Sequence, residues 1–123
     1  VIVNLNIAAV SEALILATKA GADPKKVYEA IRGGLAGSTV LDAKAPMMYS
    51  RNFKPGGPLA INLKDITNVM DTAKGMELPL ILTGALQQIM HSLKATGHLM
   101  DDHSGIVQFY ENISGVVVKS DEA

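Results

Sequence analysis

The stretch AINLKDITNVMDTAKG, Ala60 to Gly75, sets a lysine and an aspartate side by side, Lys64 and Asp65, near the start of an apolar-periodic run. A lysine can meet an anion or a carbonyl, and a carboxylate can orient a neighbouring charged group. On a helix, the residues one turn from Lys64 are Ala60, Ile61, Thr67 and Asn68, so no carboxylate is placed to pair with it. Lys64 also lies toward the positive end of the helix dipole, which slightly disfavours a cation. Both facts suit a lysine that meets an external ligand. Unpaired lysines on wet helix faces are nevertheless common, and the residues alone leave both readings open.

Three other groupings could be drawn as sites. GGLAGST, Gly33 to Thr39, looks like a phosphate-cradling loop, since glycines let backbone amides close on an anion at a helix start. A nucleotide loop should follow a strand, however, and this one follows a helical pattern, so a helix-helix turn is the better reading. HLMDDH, His98 to His103, gathers imidazoles and carboxylates, but two aspartates ahead of an apolar-periodic run are better explained as helix caps, and no metal is expected. His91 has no acidic partner near it in sequence and reads as a surface or satisfied interior histidine. Glu12, within an aliphatic run, would be costly to bury unless paired, and a structural or interdomain role is expected for it.

The bulk numbers narrow the function classes. A chain of 123 residues, 48% apolar with a formal net charge of −1, forms one globular domain. No basic run tracks phosphates, and the five aromatics are scattered, so nucleic acid is not an expected partner. Cysteine is absent, which removes disulfides, thiolate catalysis and thiolate metal sites, and fits a cytoplasmic protein. The first twenty residues are apolar, but Asn4, Asn6, Glu12 and Lys19 interrupt them and argue against a membrane span or a signal peptide.

The elements that must carry these residues are helical throughout. A first helix runs to Lys19 or Ala20 and stops at Gly21. Its polar residues Asn4, Ser11 and Thr18 recur every seven positions, and the rest of its surface is aliphatic, which predicts a buried central spine. Val1 already lies inside that pattern with no capping residue before it, so the helix is expected to continue upstream. Asp23-Pro24 starts a second helix that ends at Gly33-Gly34. Ser38 or Thr39 caps a third, which Pro46 should kink or end early. After the irregular RNFKPGGPL comes the helix of Lys64, with Leu59, Leu63, Ile66, Met70 and Ala73 stepping by four and three, ended by Gly75. Pro79 precedes a fifth helix closed by Gly97, and Asp101 or Asp102 caps a sixth, HSGIVQFYENIS. The expected fold is all-α, about six helices around a long central one over residues 1–114, with residues 115–123 a loose tail.

The run NIAAVSEALILATKAGADPKKVYEAIRGGLAGSTVLDAKAPMM, followed by RNFKPG and LKD, resembles the C-terminal domain of the β-hydroxyacid dehydrogenases. The resemblance extends through DDHSGIVQFYENI and is nearest to the branch that reduces tartronate semialdehyde to glycerate. It implies a helical fold like the C-terminal domain of 6-phosphogluconate dehydrogenase. It further implies a two-domain oxidoreductase, with an N-terminal Rossmann domain absent from this chain that binds NAD or NADP. The family's catalytic lysine, in a Lys-x-x-Asn pattern, is then expected just upstream of Val1, and Asn4 and Asn6 are not its asparagine. Without it no catalytic residue is assigned here, and the chain alone is expected to be inactive.

Within the resemblance, Lys64 corresponds to the lysine that reaches the cofactor, and Asp65 to an aspartate that orients groups near the catalytic lysine. Relatives often carry an aromatic after the KPG turn where this chain has Gly56-Gly57-Pro58, which bears on substrate packing. The expected partners are a small hydroxy- or oxo-acid substrate and further copies of the chain. The competing expectation is a stand-alone helical oligomerisation module without chemistry. A glycine-rich dinucleotide motif upstream of Val1 would discriminate between the two.

Overall fold

The computed structural model describes residues 1–121. Its elements are α1 (Ile2–Lys19), α2 (Pro24–Ile31), α3 (Thr39–Tyr49), α4 (Leu59–Gly75), α5 (Ile81–Ala95), a 3-10 turn (His103–Ile106) and α6 (Val107–Ser114). Among the described residues the one extended pairing is an isolated antiparallel bridge between Pro58 and Asp102. The fold is all-helical, as the periodicities imply.

Local chemistry explains most of the boundaries. Gly21 takes φ +93° after α1, Pro24 opens α2, and the Ser38 side chain accepts from the Leu41 amide at 2.9 Å to cap α3. Pro46 does not end α3 early: the helix continues to Tyr49. The ring costs the one bond its missing N–H would have made to the Asp42 carbonyl. The Ser50 amide and hydroxyl then donate to the Pro46 carbonyl at 3.1 and 2.6 Å, which closes that end. The sixth helix begins as the 3-10 turn, capped by Asp102, whose carboxylate accepts from the Ser104 amide at 2.8 Å.

α1 is central by its contacts, touching α2, α3, α5, α6 and the 3-10 turn, while α4 lies against α5 and the same turn. Ile7 and Leu14 of α1 meet Leu41, Met48, Leu86 and Met90 in a fully buried core. α1 is nonetheless buried on one side only, which corrects the expectation of a helix enclosed nearly all round. Its inward side includes two residues of the polar stripe, Asn4 and Ser11, whereas Ile2 and Leu16 are 80% and 72% exposed. Ser11 tolerates burial because its hydroxyl donates to the Ile7 carbonyl one turn back at 2.7 Å. By length and mean hydropathy α1 would qualify as a membrane span, yet a third of it is buried inside the domain. Two apolar grooves flank its open side. One, of ≈ 230 Å³, runs beside Ala13, Ile31 and Ala36; the other, of ≈ 240 Å³, runs beside Leu5, Leu82 and Ile89, and Ala9 lines both.

The segment after α6 is not loose as far as it is described. Gly115 turns the chain at φ +68°, and Val118 is fully buried. The Glu111 carboxylate accepts from the Val118 amide at 2.7 Å and pairs with Arg51, which also donates to the Val118 carbonyl at 3.3 Å. The Ser120 amide donates to the Tyr49 carbonyl at 3.0 Å. Residues 122 and 123 of the expected tail lie outside the described residues.

Candidate functional site

Lys64 sits in the second turn of α4, whose inner face buries Leu59, Leu63, Ile66 and Ala73. That spacing directs Lys64 and Asp65 outward, and both are exposed. Neither side chain makes a hydrogen bond or ion pair with another described residue. The two do not face one another, because adjacent helical positions point about 100° apart. Around Lys64 the surface holds Ile61, Asn68 and Thr67, the last engaged by the Gln87 side chain at 3.3 Å. The result is a lysine whose side chain has no ion-pair partner among the described residues.

The start of α4 is built unusually. Its capping residue, Pro58, offers no side-chain acceptor. Carbonyls from a distant loop do that work: the Leu59 amide donates to Asp101 at 2.8 Å and the Ala60 amide to Leu99 at 2.9 Å. These amides are therefore already engaged, and any anion that approaches α4 must be met by the Lys64 side chain rather than by them.

The loop supplying those carbonyls is HLMDDH, and its side chains have separate tasks. Asp101 accepts from His98 Nδ1 at 3.1 Å and from the Gln108 amide at 2.9 Å. Asp102 is 2% exposed and takes both the Ser104 cap and the Lys44 ammonium, whose Nζ lies 3.2 and 3.1 Å from its two oxygens. Burial pushes the Asp102 carboxyl up, but the hydrogen bonds from Ser104 and the Lys44 charge together hold it below the usual carboxylate range. Burial, reinforced by the nearby Lys44 ammonium, lowers His103 from its ordinary value against the opposing pull of Asp102. His103 is therefore a neutral imidazole at pH 7.

The other sequence candidates resolve as follows. GGLAGST is a turn between α2 and α3. A Cβ on Gly37 would fall 2.0 Å from the Arg32 carbonyl oxygen, so close backbone approach explains that glycine without any ligand. Glu12 is exposed, not buried, because it lies on the open side of α1; it shares a hydrogen bond with the Tyr110 hydroxyl. Burial and that bond raise Tyr110 above its ordinary value. His91 is exposed on α5. No Cβ added at Gly56 or Gly57 would meet a neighbour within 4 Å, so nothing within the chain requires glycine there.

Sequence reasoning missed the Lys44–Asp102 pair and the Arg51–Glu111 clasp. Their partners lie 58 and 60 residues apart, and no helical spacing signals them. A charge near the inner face of a predicted helix, as Lys44 is beside Leu41 and Ala45, was the available hint.

The helical fold is that of a hydroxyacid dehydrogenase C-terminal domain. Residues 1–110 match the family described as NAD-binding of NADP-dependent 3-hydroxyisobutyrate dehydrogenase, and the chain belongs to that family. It is 42% identical over 111 residues to a 2-hydroxy-3-oxopropionate reductase of Escherichia coli (strain K12), covering 90% of this chain and 38% of the relative. An L-threonate dehydrogenase of Cupriavidus necator is 28% identical, covering 89% of this chain and 37% of the relative. Among solved structures, a 3-hydroxyisobutyrate dehydrogenase from Salmonella typhimurium superposes with a TM-score of 0.82 at 25% identity, over 87% of this chain and 38% of that one. The chain thus spans under two fifths of the length of each.

Proposed function

We propose that this chain is the C-terminal helical domain of a two-domain, cytoplasmic, NAD- or NADP-dependent oxidoreductase that reduces tartronate semialdehyde to glycerate. The observation that carries the choice of substrate is its continuous similarity, from α1 into α6, to a protein described as a 2-hydroxy-3-oxopropionate reductase. Lys64 supports the cofactor contact, being an exposed ammonium with no partner among the described residues.

When bound, the nicotinamide group supplies the hydride. The residues present fit a contact to such a cofactor and not its whole cradle: the Lys64 ammonium is offered, and the Leu59 and Ala60 amides nearest it are already engaged. The chain's own residues then have three tasks. Lys64 binds and orients from the helical side, Asp65 orients groups near the catalytic lysine expected upstream, and the apolar body of the domain excludes water from the cleft. The proton donor is the lysine expected upstream of Val1, so the chain by itself is inactive.

The open side of α1, with Ile2, Ala9 and Leu16 between two apolar grooves, is the surface offered for association with further copies. Neither nucleic acid nor a membrane is a partner in this reading.

The test is nicotinamide absorbance with the full-length protein and the 123-residue chain side by side. Tartronate semialdehyde should give the highest kcat/KM among small oxo acids with the full-length protein, and no turnover with the chain alone. A full-length protein that oxidises no reduced nicotinamide with any such acid would refute the reaction class. Preference for another acid would refute the substrate.

A further inference from the structure

We propose that the buried Lys44–Asp102 pair is a positioning brace for α4, setting the reach of Lys64 toward its ligand. This rests on the assignment of Lys64 to the cofactor contact. Lys64 lies five residues into α4, about 7.5 Å along the axis from Leu59, so its place in space follows the start of that helix. That start has no side-chain cap and is held by the Asp101 and Leu99 carbonyls.

The loop bearing those carbonyls is held to α6 by the Asp101 carboxylate and the Gln108 side chain, and to α3 and the α4 lead-in at Asp102. The Asp102 amide donates to the Phe53 carbonyl at 2.9 Å, and its backbone bridges Pro58. Its carboxylate holds the Ser104 amide on one side and both contacts to the Lys44 Nζ on the other. Three parts of the chain therefore meet at one residue: α3 and the 3-10 turn at its carboxylate, and the segment leading into α4 at its backbone. Charge-assisted bonds in so enclosed a place constrain orientation as well as distance. A displacement of about 1 Å in a group that binds at a reaction centre can lower the rate by as much as about a hundredfold.

A merely structural pair would lower the amount of folded protein and leave the kinetics of each folded molecule alone. A brace acting through Lys64 would change coenzyme binding, and only while Lys64 is present. The experiment is a double-mutant cycle in the full-length enzyme, using Asp102→Asn, Lys64→Ala and both together. Asp102→Asn keeps an oxygen for the Ser104 amide and removes the charge that Lys44 needs. The coenzyme KM should rise about tenfold in each single variant, and the double variant should stay within about twofold of Lys64→Ala alone.

The acid-substrate KM should move less than about twofold in Asp102→Asn. An additive double variant, or an unchanged coenzyme KM in folded Asp102→Asn, would overturn the brace while leaving the role of Lys64 intact. An unchanged coenzyme KM in Lys64→Ala would instead refute the cofactor assignment itself. Should Asp102→Asn not fold, Lys44→Gln, which keeps a donor to the carboxylate, is read in the same cycle with the same two outcomes.

Discussion

Replacing Glu111 by alanine tests whether the segment after α6 is held by one carboxylate. Glu111 accepts from the Val118 amide and pairs with Arg51, and Val118 is fully buried beside them. Removing the carboxylate opens two routes. If the segment stays docked, a buried amide is left unsatisfied, which costs about 1–3 kcal/mol, plus the weaker loss from the partly exposed Arg51. If the segment lifts away, water satisfies the amide, but burial of Val118 is lost, about 1.5–3 kcal/mol. The chain takes the cheaper route, so the local cost should be about 2 kcal/mol and not the sum of the two.

Amide hydrogen exchange reads this directly, because local opening sets the protection of Val118 and Ser120. Glu111→Ala should reduce protection at both amides about 30-fold, whereas Glu111→Gln, which keeps an acceptor for the Val118 amide, should reduce it about fivefold. Unchanged protection at both positions in Glu111→Ala would refute the clasp.

Two further outcomes follow from the same geometry. His103 is lowered in the fold, so below about pH 6.5 the unfolded chain binds a proton that the folded chain resists; stability should be full above that pH and fall as acid is added. His103→Gln should remove this part of the pH dependence in urea titrations at pH 7.5 and 5.5, and an identical slope in wild type and variant would contradict it. On the open side of α1, Leu16→Glu places a charge on a 72% exposed apolar position, which should shift sedimentation of the protein toward smaller species with little loss of stability. An unchanged oligomer distribution would remove α1 from the association surface.

Much of the fold is legible because it is locally encoded. Asp23-Pro24, Ser38 and Gly21 act through their own backbone neighbourhood, so their effects can be read without knowing what packs where. Lys64 was legible for the same reason, since an unpaired lysine is defined by what its helical neighbours lack. The illegible parts depend on distant surfaces. Which side of α1 faces inward was not encoded in its own pattern, because both sides are apolar enough to be covered and Ser11 satisfies itself within the helix. The segment after α6 looked free because two of its anchors, Arg51 and Tyr49, come from the other half of the chain, and Glu111 binds it with Arg51 as partner. Pro46 misled because the loss of one N–H bond, to the Asp42 carbonyl, does not stop the helix from running on to Tyr49.

The most direct test of the whole account is coenzyme binding to full-length protein carrying Lys64→Ala, titrated by nicotinamide fluorescence. The Lys64 side chain has no partner among the described residues, so unfolding stability should stay within about 0.5 kcal/mol of wild type. The dissociation constant for the reduced coenzyme should rise about tenfold, the loss of about 1.4 kcal/mol of contact. Equal coenzyme affinity in wild type and variant, with both fully folded, would contradict the claim that this helix faces the cofactor.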